Sequence, residues 1–481
     1  MIALALLAGA TAFAEVPIKI LQGNVSSSNK STLDVVCQTT AGATATINGV
    51  EAKVYKTGAF GLPVRLENGS NKIEIAVTLN GETATKTLKV SYSGKSGSGS
   101  GSSTPKNKPA PKVTPETFYA YTTEGAYLAY GNGSDRLGAS KMGYVDAGIP
   151  VKVIGKSGDM YKVQMSEHRT AFMDKDCLQT DQKAVPVLTN SESISIDNSG
   201  RTDDISVRLG AKTLYHSWID LDPTILYVDL FGVMNNSNWI THGRSLEMVD
   251  YVECRQVESD VLRLVIRLKH RHPWGYSLKF EGNSLKIKVK HTPELSLSSM
   301  NIGLDAGHGG SALGAVSVTG ANEKDINLSI VYKVKALLER KGARVTLTRT
   351  VDQAVSMAER RKIMLDANVD LLVSIHNNAS GSVFKPMGTS LYYKYIQNRE
   401  LADCVLGRIL ELDGVVNRGL IGNFNFALGT PIEYPTFLVE GLFVSSMPDE
   451  ELLLDEDFQQ KLAEKIVAGL QDYIFRVQKE D

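Results

Sequence analysis

Cysteine is scarce in this chain: four residues in 481, at Cys37, Cys177, Cys254 and Cys404. They fall in four separate regions, so none has a disulfide partner within its own domain, and no run of them has metal-cluster spacing. Single buried thiols are expected instead. Charge of either sign in excess is missing too, with 52 Lys and Arg against 53 Asp and Glu and a net charge of -1. That balance excludes nucleic acid as the main partner, which would call for a basic domain; a neutral or mixed polymer suits it better. Long apolar runs are also lacking. Met1 to Ala14 is apolar and small, but far short of the roughly 20 residues a membrane helix needs. Ala12-Phe13-Ala14 offers small residues at signal-peptidase spacing, so residues 1–14 are expected to be a secretory signal. No basic residue precedes it, Lys19 being the first, which leads us to expect that the natural start lies upstream. The processed chain is expected to be exported to the periplasm or cell envelope, with no stable membrane insertion and no Cys placed to take a lipid.

A chain of 481 residues is too long for one core, and about 150 residues per domain suggests three or four. The expected class is multidomain: three small β-rich domains followed by an α/β domain whose mostly parallel sheet is flanked by helices. Residues 15–92 alternate like a small β domain at Ile73, Ile75, Val77 and Leu79, with Asn80-Gly81 as a hairpin turn before Leu88 and Val90. Residues 93–115 are mostly Gly, Ser, Pro and Lys, without an acidic residue and with almost no bulky apolar one, a composition that cannot bury a core and reads as a flexible tether. Residues 116–182 read as short strands, with Val151 and Val153, a turn over Gly155 to Gly158, then Tyr161 and Val163. Residues 190–293 are strand-rich again, around Ile225, Tyr227, Leu262, Leu264 and Ile266. Trp218, Trp239 and Trp274 lie there; they have the flat faces that stack on sugar rings, although core packing is the commoner fate of a Trp.

From about Asn301 the pattern changes to alternating strand and helix. Asn301 to Leu304 is a short apolar run stopped by Gly307, Gly309 and Gly310. Asn322 is a reasonable N-cap, and Ile326, Ile330, Val334, Leu337 and Leu338 repeat at helical spacing until Gly342. Arg344 to Arg349 reads as a strand, Ala354 to Asn368 as a helix, Asp370 to Ile375 as a buried strand and Thr436 to Val439 as another that enters Glu440. Such alternation builds a parallel sheet, and ligands gather beyond the carboxyl ends of its strands. His308, His376 and Glu440 are expected at those ends, with Glu323 in the first helical turn on the same rim. Two imidazoles and one carboxylate match a catalytic zinc site, which keeps three protein ligands and leaves a fourth position open. A carboxylate at Glu323 also suits a helix N-terminus, worth about 0.3 to 1 kcal/mol, and the two roles are compatible.

These residues resemble a known family. The string Gly303 to Gly310, Glu323-Lys324-Asp325-Ile326-Asn327-Leu328, Thr348-Arg349 with Asp352, Ser374 to Ala379, and Leu438-Val439-Glu440 are similar to the zinc-dependent N-acetylmuramoyl-L-alanine amidases of bacterial cell-wall turnover, over residues 299–481. The resemblance implies that His308, Glu323 and His376 hold Zn2+, that Glu440 is catalytic, and that Arg418 and Asn378 are candidates for substrate binding. Asn377 and Asn378 are expected to orient the site or to cap the loop that follows. The sequence departs at Glu440-Gly441-Leu442-Phe443 and at Ser445-Ser446. Upstream, residues 15–92 resemble a bacterial immunoglobulin-like module. Residues 116–182 resemble a bacterial Src-homology-three-like barrel in which Tyr161 and Phe172 stand where Trp is common. Asp222 to Leu230 resembles part of an AMIN-type targeting domain.

The implied chemistry is hydrolysis of the amide between N-acetylmuramic acid and L-alanine of the stem peptide. Zinc can lower the pKa of water from about 15.7 to roughly 7, and Glu440 would be the general base that takes its proton and returns it to the leaving amine. Peptidoglycan is the expected partner, in wall turnover or daughter-cell separation, with cell-envelope regulator proteins as further partners. Regulated relatives carry a helical plug after the second His. Only Asn377 to Met387 separates His376 from the next strand here, so an accessible site is expected. Two other classes share these residues: a non-catalytic wall-binding protein whose site has decayed, which the intact quartet argues against, and a zinc peptidase that cuts inside the stem peptide.

Overall fold

A computed structural model of the chain describes residues 16–94, 111–133 and 137–480. The expected signal at 1–14 and residues 95–110 of the expected tether lie outside them. Among the described residues no helix is long and apolar enough to cross a membrane.

Residues 19–92 form two sheets that close on one core. A three-stranded sheet (19–22, 32–38, 59–65) faces a five-stranded one (27–28, 82–92, 69–79, 44–47, 50–52), and Val35, Cys37 and Phe60 from the first meet Ile47, Ile73, Ile75, Val77 and Val90 from the second. Asn80-Gly81 makes the tight turn: Leu79 pairs with Glu82, and both turn residues have positive φ, 52° and 86°. Such a two-residue turn matches the twist of the strands it joins.

Residues 118–180 build a seven-stranded antiparallel sheet around Ala120, Val151, Val153, Val163 and Met173. The turn expected over Gly155 to Gly158 is tighter than the sequence suggests. Gly155 lies inside the strand Pro150–Ser157, and only Gly158-Asp159 turns, with Ser157 opposite Met160. The register shifts between Val153 and Gly155, and a strand glycine commonly signals such a bulge. Residues 189–290 form a second two-sheet sandwich whose core is continuous with that of the preceding domain. The three Trp side chains meet three fates. Trp274 is buried in the core of the C-terminal domain, Trp218 stacks between His216 and Tyr227 under the Arg263 guanidinium, and Trp239 is exposed.

The C-terminal domain contains β1 (Asn301–Ala306), α1 (Glu323–Arg340), β2 (Arg344–Leu347), α2 (Met357–Asp366), β3 (Leu371–Asn378), β4 (Thr389–Tyr392), α3 (Arg399–Ile409), β5 (Asn417–Ile421), β6 (Thr436–Phe443), α4 (Met447–Leu453) and α5 (Glu456–Glu480). The six strands run in the order β2-β1-β3-β6-β4-β5. The first four are parallel, as expected of strands buried on both faces; β4 is antiparallel to β6, and β5 runs with β4. The sheet is therefore mixed at one edge, because the short connection from β3 to β4 has no crossover helix to reverse the chain. Helices α1, α3 and α5 share one core with the sheet, while Met364 of α2 packs with Leu372 and Tyr434 on the other side.

The four cysteines are free: Cys37 and Cys177 are buried, while Cys254 and Cys404 are half-buried, more open than expected. Burial pushes the Cys254 thiol up to about 11, which leaves it protonated and inert near neutral pH.

Candidate functional site

The loop after β1 carries His308 in a left-handed conformation, φ 62°. Once a strand has left its sheet, its carbonyls need other donors, and two guanidiniums supply them. Arg349 donates to the carbonyls of Ala306, Gly307 and Lys324, at 2.9, 3.0 and 2.7 Å. Arg360 donates to Ala306, Val355 and His308. Arg360 is itself neutralised by Asp305 at 2.6 Å, both side chains being almost wholly buried. Asp305 also accepts from Thr348 and Ser374, each at 2.7 Å. Burial opposes charge on Asp305, yet Arg360 and these hydroxyls hold its carboxyl below the usual range. Lys324 and Asp352 clasp the far end of the loop, with Lys324 Nζ 2.6 Å from Asp352 and Asp352 accepting from the Gly310 amide.

Within this frame Glu323, 4% exposed, lies between the two histidines. Its Oε2 is 3.2 Å from His308 Nε2 and its Oε1 is 3.1 Å from His376 Nδ1. The two rings meet edge to face, with centroids 4.8 Å apart. All three offer a ligand atom, and those atoms lie within 4.8 Å of one another. Burial disfavours charge on Glu323, but hydrogen bonds from both histidines, the charge of His376 and the Ala315 amide outweigh it and depress its pKa. For His376 burial again opposes charge, and Glu323, Glu440 and Asp305 reverse the balance and raise its pKa.

Two glycines make room for the trio. A Cβ on Gly307 would lie 2.3 Å from the His376 ring, and one on Gly314, which has φ 71°, would lie 2.5 Å from Glu323 Oε2 and 2.7 Å from the His308 ring.

The expected strand Thr436 to Val439 runs on to Phe443, so Glu440 does not stand at a strand exit. It sits inside β6, directly opposite His376 of β3 on one side and Ser390 of β4 on the other. That register fixes the carboxylate beside the trio, and its charge is felt by His376. Asn377, left open between two roles by the sequence, is buried and orients the site. Its amide donates to Glu323 Oε1 at 3.1 Å, its Nδ2 to Asn327 Oδ1 at 2.8 Å, and its Oδ1 accepts from Leu442 N. Asn327 in turn donates to Glu323 Oε1 and to the Gly307 carbonyl, both at 3.2 Å. Gly441 borders this amide: a Cβ there would lie 2.6 Å from Asn377 Oδ1. Asn378 spends its Oδ1 on the Ala379 amide, and Arg418 lies on edge strand β5 with its guanidinium 5.9 Å from the Phe443 ring.

Sequence reasoning missed Asp305, Asn327 and Arg360. The available signal was a charged residue in the otherwise apolar run Asn301 to Ala306, which demands a buried partner. A second group with metal-like composition, His272, Glu400 and Glu480, is an ion-pair clamp. Its carboxylates already meet Arg476 at 3.0 Å and Arg271 at 3.6 Å, and it ties the second sandwich to α3 and α5.

Similarity to known proteins runs along the same stretch. A probable cell wall amidase LytH from Staphylococcus aureus is 34% identical over 193 residues, 40% of this chain and 64% of that protein. The chain thus spans just under two thirds of the length of the curated relatives it matches. Two solved structures are similar in sequence: the catalytic domain of CwlV, an N-acetylmuramoyl-L-alanine amidase from Bacillus (Paenibacillus) polymyxa var. colistinus, at 31% identity, and the N-acetylmuramoyl-L-alanine amidase AmiC2 of Nostoc punctiforme, at 32%. Each match covers 37% of this chain and 98% of the other, with a TM-score of 0.35. The segment that bears His308, Glu323, His376 and Glu440, residues 302–472, matches the N-acetylmuramoyl-L-alanine amidase family.

Proposed function

We propose that this chain is an exported, zinc-dependent amidase of peptidoglycan that cuts between the lactyl group of N-acetylmuramic acid and the L-alanine of the stem peptide. The observation that carries the reading is the convergence of His308, Glu323 and His376 with Glu440 opposite His376 in the sheet. The trio fits zinc in donor type, and one ligand atom from each of the three residues lies within 4.8 Å of the others. Bound there, zinc supplies Lewis acidity toward the amide carbonyl and toward water. His308, His376 and Glu323 would hold the ion with two neutral imidazoles and one carboxylate, which would leave it a net positive charge.

The protein's own part is to hold and move protons. Glu440 takes a proton from the attacking water and delivers it to the amide nitrogen, so the C–N bond breaks with a neutral amine leaving and a lactyl carboxylic acid left behind, whose remaining proton passes to solvent. Asn377 and Asn327 keep Glu323 oriented, and Arg349 and Arg360 keep His308 in place through the loop carbonyls. Arg418 and Asn378 remain candidates for substrate contact. The upstream modules, with their immunoglobulin-like, Src-homology-three-like and AMIN-like patterns, would hold the enzyme on the wall or on regulator proteins of the envelope.

The raised pKa of His376 has a consequence for loading. A histidine must shed its proton to ligate, so metal binding releases protons and its apparent affinity rises with pH through the His376 transition. Titration calorimetry in buffers of different ionisation enthalpy should record that release, and an affinity independent of pH would remove His376 from the ligand set. Digestion of purified wall followed by mass spectrometry tests the reaction itself. Intact stem peptides beginning with L-alanine and muramic acid with a free lactyl carboxylate are expected; cuts inside the stem would make the chain a peptidase, and no cuts a wall-binding protein.

A further inference from the structure

The loops that follow His308 and His376 are both tied to α4. Its Asp449, fully buried, accepts from the amides of Met387, Gly388 and Phe443 at 3.1, 2.9 and 3.1 Å. Ser446, its N-cap, donates to the Lys385 carbonyl, and Met447 N donates to Val383 O, both at 2.9 Å. The neighbouring buried Glu450 accepts from the amide and hydroxyl of Thr319 at 2.7 and 2.8 Å. One short helix therefore grips the loop after the first histidine, the loop after the second, and the end of β6 just beyond Glu440.

The other face of the same helix receives the N-terminal sandwich. Val36, Tyr55 and Ala59 of that sandwich share an apolar cluster with Met447, and Leu21, Val318, Val383 and Phe384 pack against it. A Cβ on Gly61 would lie 3.2 Å from the Phe384 ring, so the two surfaces approach closely. Polar contacts fix the seating: the Lys56 amide donates to Glu451 at 2.6 Å, Lys56 Nζ is 3.3 Å from Asp455, and Lys53 is 3.8 Å from Glu451. Both lysines are largely exposed, so their ion pairs contribute little strength; the apolar contacts carry the docking and the charges set its register. The contact does not cap the site. With the sandwich in place, His308 and His376 keep 31% and 21% of their side-chain surface open.

We propose that the N-terminal sandwich is a brace for the catalytic rim, and that α4 is the positioning element through which it acts. Docked, it holds residues 316–320 and 379–388 in the arrangement that receives the glycan-peptide substrate; released, it lets those loops open locally. The rim's substrate rests on the amidase reading, but the brace itself does not.

The test uses the full chain in two variants that attack the contact from opposite sides, K53E/Y55E/K56E on the sandwich and Phe384→Ser on the loop. Small-angle scattering reports release of the sandwich. Hydrogen exchange in metal-free protein reports the loops, independently of any activity. Release should speed exchange in both loops by about tenfold while β1 and β3 keep their protection. In loaded enzyme the same variants should raise KM for wall fragments by roughly tenfold and leave kcat within about threefold, because the reacting groups are untouched. Release with unchanged loop exchange overturns the proposal, and so does release that speeds exchange in β1 and β3 as much as in the two loops. Loops that respond in a protein that cleaves nothing would leave the brace standing and sink the amidase reading instead.

Discussion

Replacing Glu440 with Gln should abolish most cleavage of purified peptidoglycan, lowering kcat by about 10²–10⁴, while the protein still binds zinc at one equivalent. Gln keeps the size and shape of the side chain, and the strand pairing that places residue 440 opposite His376 and Ser390 is made by backbone, so the geometry survives. What Gln cannot do is accept the proton from water. The substitution carries a second signature that a merely structural role would not produce. Glu440 is one of the charges that raise the pKa of His376, so its neutralisation lowers that pKa and moves the pH dependence of metal binding to lower pH. Rate measurements beside zinc titrations at two pH values check both effects. Turnover retained at the wild-type rate would remove the general-base role, and loss of zinc would make Glu440 a ligand.

The contrast between Glu440 and Asp449 shows what a sequence makes legible. Glu440 follows an apolar run, Phe437-Leu438-Val439, and a carboxylate there stands out because a buried strand rarely carries one without cause. His308 and His376 were visible for the same reason, each close behind an apolar stretch. Asp449 and Glu450 lie in Met-Pro-Asp-Glu-Glu, which reads as an ordinary acidic helix start. Their importance comes from backbone amides at Thr319, Met387 and Gly388, more than 60 residues away in sequence. Likewise Asn80-Gly81 announces its turn through local φ preference, whereas the seating of Tyr55 against Met447 depends on contacts between distant segments. Local steric demands leave a trace in residue type; long-range satisfaction of backbone donors leaves almost none.

The Asp305–Arg360 pair is where the largest loss of stability is expected. Arg360→Met should destabilise the C-terminal domain by about 3–5 kcal/mol, because it leaves a buried carboxylate without its counter-charge. Asp305→Asn should cost less than Arg360→Met. Thr348 keeps its acceptor in the amide oxygen and the Ser374 hydroxyl, which faces the other oxygen of Asp305, can turn to accept from the new NH2, while Arg360 keeps its bonds to the carbonyls of Val355, Ala306 and His308. The order distinguishes a guanidinium that mainly supplies donors to the His308 loop from one that only neutralises Asp305; equal costs would support the latter. Among the described residues every α-helix lies between 323 and 480, so the helical circular-dichroism signal isolates this domain during guanidinium unfolding. The sign with pH follows from the depressed pKa of Asp305. Its stabilisation is fully present above the ordinary carboxylate value near 3.9 and disappears as pH falls through its lower folded value. Asp305→Asn should therefore flatten the acid limb of stability below about pH 4, and an acid limb as steep as that of the unaltered chain would mean that Asp305 is not charged in the folded protein.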